Sequence, residues 1–347
     1  MTFRKSIVTA LLFLVVISGA YSAYWFYART IVAESIDRWT GLRRAEGYEI
    51  AFDPPEFAGY PMRIRVILGQ PRIQRGEFSW RAEQLRLESR PWNFREIRAD
   101  LEGKQWLSLS GKSQPITLDA GEAVVVARFS SSGRPVDADL LFRDLELSDP
   151  KGKIQARIAE VWLEATAPEI PQPAHTDKSL TISLSTTEIS LTEDVAPSLG
   201  QQISKLRADL NVKGALPRRV SNAALETWRR SGGTVDVDWF HVVWGKVDLR
   251  AKGTVALDAQ SRPLGAFSSD IRGHNHILDA LVERKVIERK TVTFAKIGLS
   301  LLAKSPPEGG VPVLTLPVTA QDGHLYAGPV KILDLAPIRL PAPVPPR

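Results

Sequence analysis

The chain has 347 residues, enough for one large domain or two modest ones, and its 44% hydrophobic and 24% charged content is that of a folded protein. Zero cysteines exclude disulfide staples, thiolate zinc sites, iron–sulfur clusters and cysteine nucleophiles. The balance of 45 basic against 39 acidic residues, +6, is mild for a chain of this size.

Residues 1–28 read as a cytoplasmic tail and membrane anchor. Arg4 and Lys5 precede Ile7 to Ala28, a run of 22 residues without a charge. At a rise of about 1.5 Å per residue the run extends about 33 Å, the thickness of a hydrocarbon core. Its distal cluster, Tyr24-Trp25-Phe26-Tyr27, suits the membrane interface, because rings with one polar edge settle among headgroups. The competing reading is a cleaved signal peptide with Ser18-Gly19-Ala20 as its exit. Against cleavage, Ile31, Ile36, Trp39 and Leu42 carry a helical spacing past the cluster. The basic start places the N-terminus in the cytoplasm, although Arg38, Arg43 and Arg44 beyond the run weaken the asymmetry. The expected arrangement is a single membrane crossing, with the bulk of the chain exported as one water-soluble mass on that tether.

Beyond the anchor the dominant period is two. In an N-terminal β-rich half, 29–167, Met62, Ile64, Val66 and Leu68 alternate with Arg63 and Arg65. Leu85 and Leu87, then Ile97, Ala99 and Leu101, then Ile154, Ala156 and Ile158 repeat the style, and Ser131 to Pro135 is a turn. Prolines 168, 171 and 173 mark 168–179 as a linker. A C-terminal β-rich half with short helices, 180–336, resumes at Leu180 to Leu184. Ser221 caps a short helix through Leu225 and Trp228, stopped by Gly232-Gly233. Thr234 to Trp244 and Lys246 to Asp258 alternate strictly, broken at Gly245. Gln260 to Pro263 is a turn into Leu264 to Ile271. Ile277, Leu278, Leu281 and Val282 have helical spacing, continued loosely by Val292, Ala295, Leu299 and Leu302. Val313 to Val318 and Leu325 to Leu333 flank the turn Asp322-Gly323 as a hairpin. The tail 337–347 holds five prolines in eleven residues and stays extended. The fold class is therefore mainly β with a few helices: an N-terminal transmembrane helix followed by antiparallel, curved or sandwiched amphipathic sheets.

Several of these stretches carry a resemblance. They are Gly59-Tyr60-Pro61-Met62-Arg63-Ile64, the run Gly232 to Val237 with Trp244-Gly245, Gly253 to Asp258 with Arg262 to Gly265, and Leu316-Pro317-Val318 with Asp322 to Leu325 and Gly328-Pro329. On them the chain resembles domain-of-unknown-function family 2125, found mainly in alphaproteobacteria, over nearly its whole length after the anchor. The motifs are structural: turn glycines, prolines and strand alternation. The resemblance implies an inner-membrane-anchored envelope protein and brings no activity or site residues with it. An anchored mass of long amphipathic strands is also similar, at the level of fold, to AsmA- and TamB-like envelope proteins, whose curved sheets hold an apolar groove.

Catalytic motifs are missing. There is no Gly-x-Ser-x-Gly elbow and no His-Glu-x-x-His, and Gly111-Lys112-Ser113 lacks the phosphate-loop glycine where Trp106 stands. His274-Asn275-His276 would need Asp270 or Asp279 to complete a metal site, and a polar loop before a helix explains it as well. Asp236 and Asp238 could flank a cleft as acid and base, but they sit where a solvated strand face is expected. No catalytic, metal-binding or cofactor-binding residue is assigned, and no cofactor is expected. Trp162, Trp239 and Trp244 read as core.

Arginine is the exception to even spread. Between Pro61 and Arg98 stand nine arginines, no lysine and four glutamates, a local surplus of five. Arg63, Arg65, Arg72 and Arg75 are the expected contacts for anionic headgroups, since guanidinium forks onto phosphate; pairing with the glutamates on a wet sheet face is the alternative. An exported protein would rarely meet nucleic acid, so none is expected as partner. The expected function is a non-enzymatic envelope protein binding lipid or another apolar ligand between or on its sheets. The rivals are an anchored scaffold that binds an envelope protein by strand edges or the proline-rich tail, and, third, a hydrolase.

Overall fold

The computed structural model describes residues 2–109, 114–170, 174–194, 198–216, 221–283, 292, 296–299, 303–304, 311–328 and 330–340. Gly111-Lys112-Ser113, Pro171, Pro173, Ala295, Leu302 and tail residues 341–347 lie outside them.

The expected anchor and its continuation are one helix, α1 (Thr2–Ala45), of 44 residues. It contains the one segment among the described residues that is long and apolar enough to cross a membrane. Leu11 to Ile17 leave half to two-thirds of their surface uncovered, as side chains turned toward lipid would. The second half of α1 behaves differently. Trp25, Ala28 and Val32 recur at spacings of three and four, so they share one face, and that face packs on Ile64. Trp25 and Ala28 are only 3% and 0% exposed. The helix ends where Gly47 takes φ 83°. There the Tyr48 amide donates to the Arg43 carbonyl and the Gly47 amide to that of Arg44, both at 3.0 Å. This is the left-handed closure that glycine permits, with Arg43 and Arg44 against the negative end of the helix dipole.

The strands are β1 (Glu49–Ala51), β2 (Glu56–Ala58), β3 (Ile64–Gly69), β4 (Arg72–Arg75), β5 (Phe78–Arg90), β6 (Asn93–Ser108), β7 (Ile116–Phe129), β8 (Pro135–Ser148) and β9 (Ile154–Thr166). There follow β10 (Lys178–Leu191), β11 (Gln202–Lys213), β12 (Thr234–Trp244), β13 (Val247–Leu257), β14 (Pro263–Arg272), β15 (Val313–Gln321), β16 (His324–Ala327) and β17 (Val330–Asp334). All seventeen belong to one sheet. From β5 onward each strand pairs antiparallel with its neighbours in sequence. At the start, β3 and β4 lie end to end along β5, and β2 and β1 lie end to end outside them. The sheet is open, not closed into a barrel. The proline-rich segment is its midpoint: β9 and β10 pair directly across it, from Thr166 opposite Thr181 to Ala156 opposite Leu191.

Register separates the two faces. One row of directly opposed residues runs Val66, Leu87, Ala99, Val125, Leu140, Leu163, Leu184, Ala208, Phe240, Ala251, Ser269, Leu316. Its single polar member, Ser269, donates its hydroxyl to the Leu316 carbonyl at 2.7 Å. The adjoining row, one residue along each strand, points the other way: Arg86, Asp100, Val124, Leu141, Trp162, Ser185, Arg207, His241, Arg250, Asp270. Trp162 and Trp239, expected in the core, are 48% and 40% exposed. The reason is this parity: Trp162 stands on the wet row, and Trp239 stands opposite Asp209 beside a bulge in β12.

Two further helices have described bounds, and residues 296–299 are also helical. Ser221 caps α2 (Asn222–Arg230) as its sequence predicts, its hydroxyl accepting from the Ala224 amide. Trp228 of α2 donates to the Lys213 carbonyl at 2.8 Å. A Cβ on Gly233 would land inside that indole, so only glycine fits at this position. α3 (His274–Glu283) covers the far end of the dry face, where Ile277 packs on Ile271, Leu314 and Leu316. The middle strands have no described helix over them. The whole molecule exposes 21643 Å², against about 14,000 Å² for a compact monomer of 38.4 kDa.

The seating of α1 on the sheet rests chiefly on Trp25. Trp25→Ala should cost about 3–5 kcal/mol, the usual range for a buried tryptophan, and lower the Tm of the full chain in detergent. Tyr27→Ala, at a residue 64% exposed, should leave it within error.

Candidate apolar cavity

Past Trp25, α1 lies over the dry face of β3 and β5 without filling the space against it. The result is a cavity of about 630 Å³, inside the usual range of about 300–1,000 Å³ for small-molecule sites. The helix supplies Ile31, Val32, Ser35, Ile36 and Trp39 as one wall. The dry face of the sheet supplies the other: Ile64, Val66 and Leu68 from β3, Leu85 and Leu87 from β5, Phe94 and Ile97 from β6, and Phe129 from β7. Ser35, Arg72, Glu88 and Ser89 are the polar side chains that reach it.

Glu88 and Ser89 also line a second, polar recess of about 210 Å³, completed by Arg63, Arg90, Asn93, Glu96, Arg98 and Val126. The two spaces therefore share a wall. Glu88 accepts from Arg65 Nη2 at 2.9 Å and from Arg63. Burial pushes the Glu88 carboxyl up, but the hydrogen bonds and charges of the two arginines outweigh it, so the net shift is downward and Glu88 stays ionised.

The four arginines expected to contact headgroups are divided between the two ends of the β3–β4 line. Arg63 and Arg65 hold Glu88 at the end nearer Trp25. Arg72 stands at the mouth of the cavity and makes no ion pair among the described residues. Arg75 is 8% exposed, stacked on the Tyr48 ring at 4.7 Å and donating to its hydroxyl at 3.0 Å, which makes it a structural residue. The aromatic cluster is also divided. Trp25 is buried and donates to the Arg63 carbonyl at 3.0 Å, and Tyr24 donates to the Pro91 carbonyl at 2.6 Å. Phe26 and Tyr27 face outward, 55% and 64% exposed.

The candidates for chemistry are absorbed by the sheet. Asp236 pairs with Lys213 at 2.5 Å and accepts from Thr254, and Asp238 accepts from Asn211 at 2.6 Å. Asp270 accepts from Thr315, and Asp279 pairs with Lys296. Neither joins His274 or His276, and no group of three metal-ligating side chains comes together among the described residues. The tail is tied back onto the body as far as Leu340, whose amide donates to Asn222 at 2.8 Å, while the Ile338 amide donates to the Ser261 carbonyl. Sequence reading missed the cavity itself. Its one local signal was the three-and-four spacing of Trp25, Ala28, Val32 and Ile36 past the aromatic cluster.

A family model described as an uncharacterised protein conserved in bacteria, DUF2125, matches residues 25–336. The chain belongs to that family. No curated protein and no solved structure matches it, so the likeness to AsmA- and TamB-like proteins gains no support from these comparisons.

His274 is 8% exposed, and neither ring nitrogen has a partner. Burial pulls its pKa below the ordinary 6.5. The fold therefore holds it neutral while the unfolded chain takes up a proton, so its contribution is complete above 6.5 and is lost as pH falls below that value. The Tm should drop between roughly pH 7.5 and roughly pH 5.5, and His274→Leu should lessen that drop. An unchanged pH dependence would assign it to other groups.

Proposed function

We propose that this member of the family is a non-enzymatic protein of the cell envelope, anchored in the inner membrane by α1 with its sheet in the periplasm, that holds a lipid acyl chain in the cavity beside the anchor. The observation that carries the reading is the lining. Nearly every side chain that reaches the cavity is apolar, and one wall is the helix that also contains the membrane span. A methylene moved from water into such a site contributes about 0.8 kcal/mol, so an unbranched chain is a well-matched guest. The apolar row that begins at Val66 in the cavity and continues strand by strand to Leu316 gives a longer dry surface on the same face. The uninterrupted passage of α1 from the span to the sheet supports a retained anchor, because cleavage after Ala20 would cut within the helix.

The test is a photoactivatable fatty acid presented to the full chain in lipid nanodiscs, with cross-linked residues mapped by mass spectrometry. Labels are expected on the cavity wall, at residues such as Ile36, Leu87 and Phe94. Ser35→Trp fills the space and Ile36→Glu places a charge in it. Each should reduce labelling at least about tenfold, the effect of roughly 1.4 kcal/mol, with the circular dichroism spectrum preserved. Labelling spread evenly over the chain and indifferent to both substitutions would overturn the reading.

A further inference from the structure

Two loops that cradle α1 where it leaves its apolar run have a composition of their own. The loop 59–63, between β2 and β3, exposes Tyr60 and Met62 at 52% and 62%. The β5–β6 turn exposes Trp92 at 58% and Phe94 at 38%. Both loops are bonded to the helix itself. Tyr21 donates its hydroxyl to the Pro61 carbonyl at 2.6 Å, Ser22 and Tyr60 share a hydrogen bond of 2.7 Å, and Tyr24 donates to Pro91. The Tyr60 ring also packs against Trp25 and Phe26.

Their height relative to a bilayer follows from the helix. Tyr21 and Phe26 lie about 10 Å and 3 Å short of the distal end of the uncharged run, at about 1.5 Å per residue. Where the hydrocarbon ends near Ala20, about 28 Å along α1 from Thr2, the loops bonded from Tyr21 onward stand at headgroup level, where aromatic rings and a methionine can enter while the backbone stays polar. Arg63, Arg90 and Arg95 stand beside these side chains. Arg90 and Arg95 are exposed and make no ion pair among the described residues. Exposed apolar tips next to free guanidinium groups are the arrangement that holds a surface of anionic lipid, at about 1 kcal/mol per basic residue near the surface.

We propose that loops 59–63 and 90–95 form a second, peripheral membrane contact, seating the foot of the sheet on the same anionic bilayer that α1 crosses, with Met62 and Trp92 inserted and Arg90 and Arg95 among the headgroups. The contact rests on the anchor reading of α1 and is independent of any guest in the cavity. It would hold the sheet upright beside the helix rather than free to swing, and it places the end of the cavity shared with the Glu88 recess next to the lipid.

The absence of cysteine makes the test clean. Single Met62→Cys, Trp92→Cys, Val15→Cys and Lys151→Cys variants of the full chain carry a polarity-sensitive fluorophore, in vesicles of phosphatidylglycerol and phosphatidylcholine doped with a nitroxide-labelled lipid quencher. Val15 reports the span, and Lys151 lies on the β8–β9 turn at the opposite end of the strands. Quenching is expected at positions 15, 62 and 92 and not at 151. Arg90→Glu with Arg95→Glu should weaken quenching at 92, and pure phosphatidylcholine should do the same. Quenching at 15 with 62 and 92 as wet as 151 would overturn the seat and leave the anchor standing. No quenching at 15 would overturn both.

Discussion

An antiparallel sheet whose strands pair only with their neighbours in sequence satisfies its backbone hydrogen bonds without help, but it cannot hide its own apolar face. Here the ladder runs from the first broken hairpin to β17 in chain order, so nothing folds the second half of the sheet back over the first. The row from Val66 to Leu316, apolar but for Ser269, is a direct product of that register, because each pairing opposes an inward residue to an inward residue. What covers the row must come from outside the ladder. α1 covers its beginning and α3 its far end, and the row residues between them, from Ala99 to Ala251, stay half-buried.

The helix is thus asked to satisfy two environments in one continuous element. Through Leu11–Ile17 it is apolar all round and unsupported by the rest of the chain. From Trp25 onward it is amphipathic, with Trp25, Ala28, Val32 and Ile36 toward the sheet and Arg29, Glu34, Asp37 and Arg38 elsewhere on its circumference. Its sheet-facing side chains meet the inward residues of β3 and β5 with space left between them, and that space is the cavity.

Much of the sheet was legible because strand alternation is a local signal. Thr234–Trp244, the break at Gly245 and the strand that follows were recovered almost residue for residue, as were the Ser221 cap and the Asp322-Gly323 turn. The errors arose where face and partner depend on distant residues. Trp162 alternates as correctly as any core residue, yet parity counted through Leu141 and Ser185 places it on the wet side. Trp25 looked like an interface residue because its sequence neighbours are aromatic, while its burial depends on Ile64 and a carbonyl thirty-eight positions away. The cavity joins residues 31–39 to residues scattered from 50 to 129, and no short window of sequence contains both.

The arginine-rich stretch illustrates how one compositional signal divides into separate physical roles. Arg75 and Arg81 are consumed by aromatic stacking, on Tyr48 and on Trp106. Arg86 pairs with Glu102 and Arg98 with Asp100, both across or along the sheet. Arg63 and Arg65 converge on Glu88, the one carboxylate that borders both the apolar cavity and the polar recess. Exposed pairs of the first kind contribute little stability, about 0–1 kcal/mol each. The Glu88 group has a different consequence: a carboxylate neutralised by two guanidinium groups lets a charged recess adjoin a dry cavity without drawing an unpaired ion into it. This continuity follows from β3 and β5 meeting at Ile64 and Ser89, at the foot of α1 where Trp25 is held. The interaction that seats the helix on the sheet therefore also sets the polar and apolar compartments side by side.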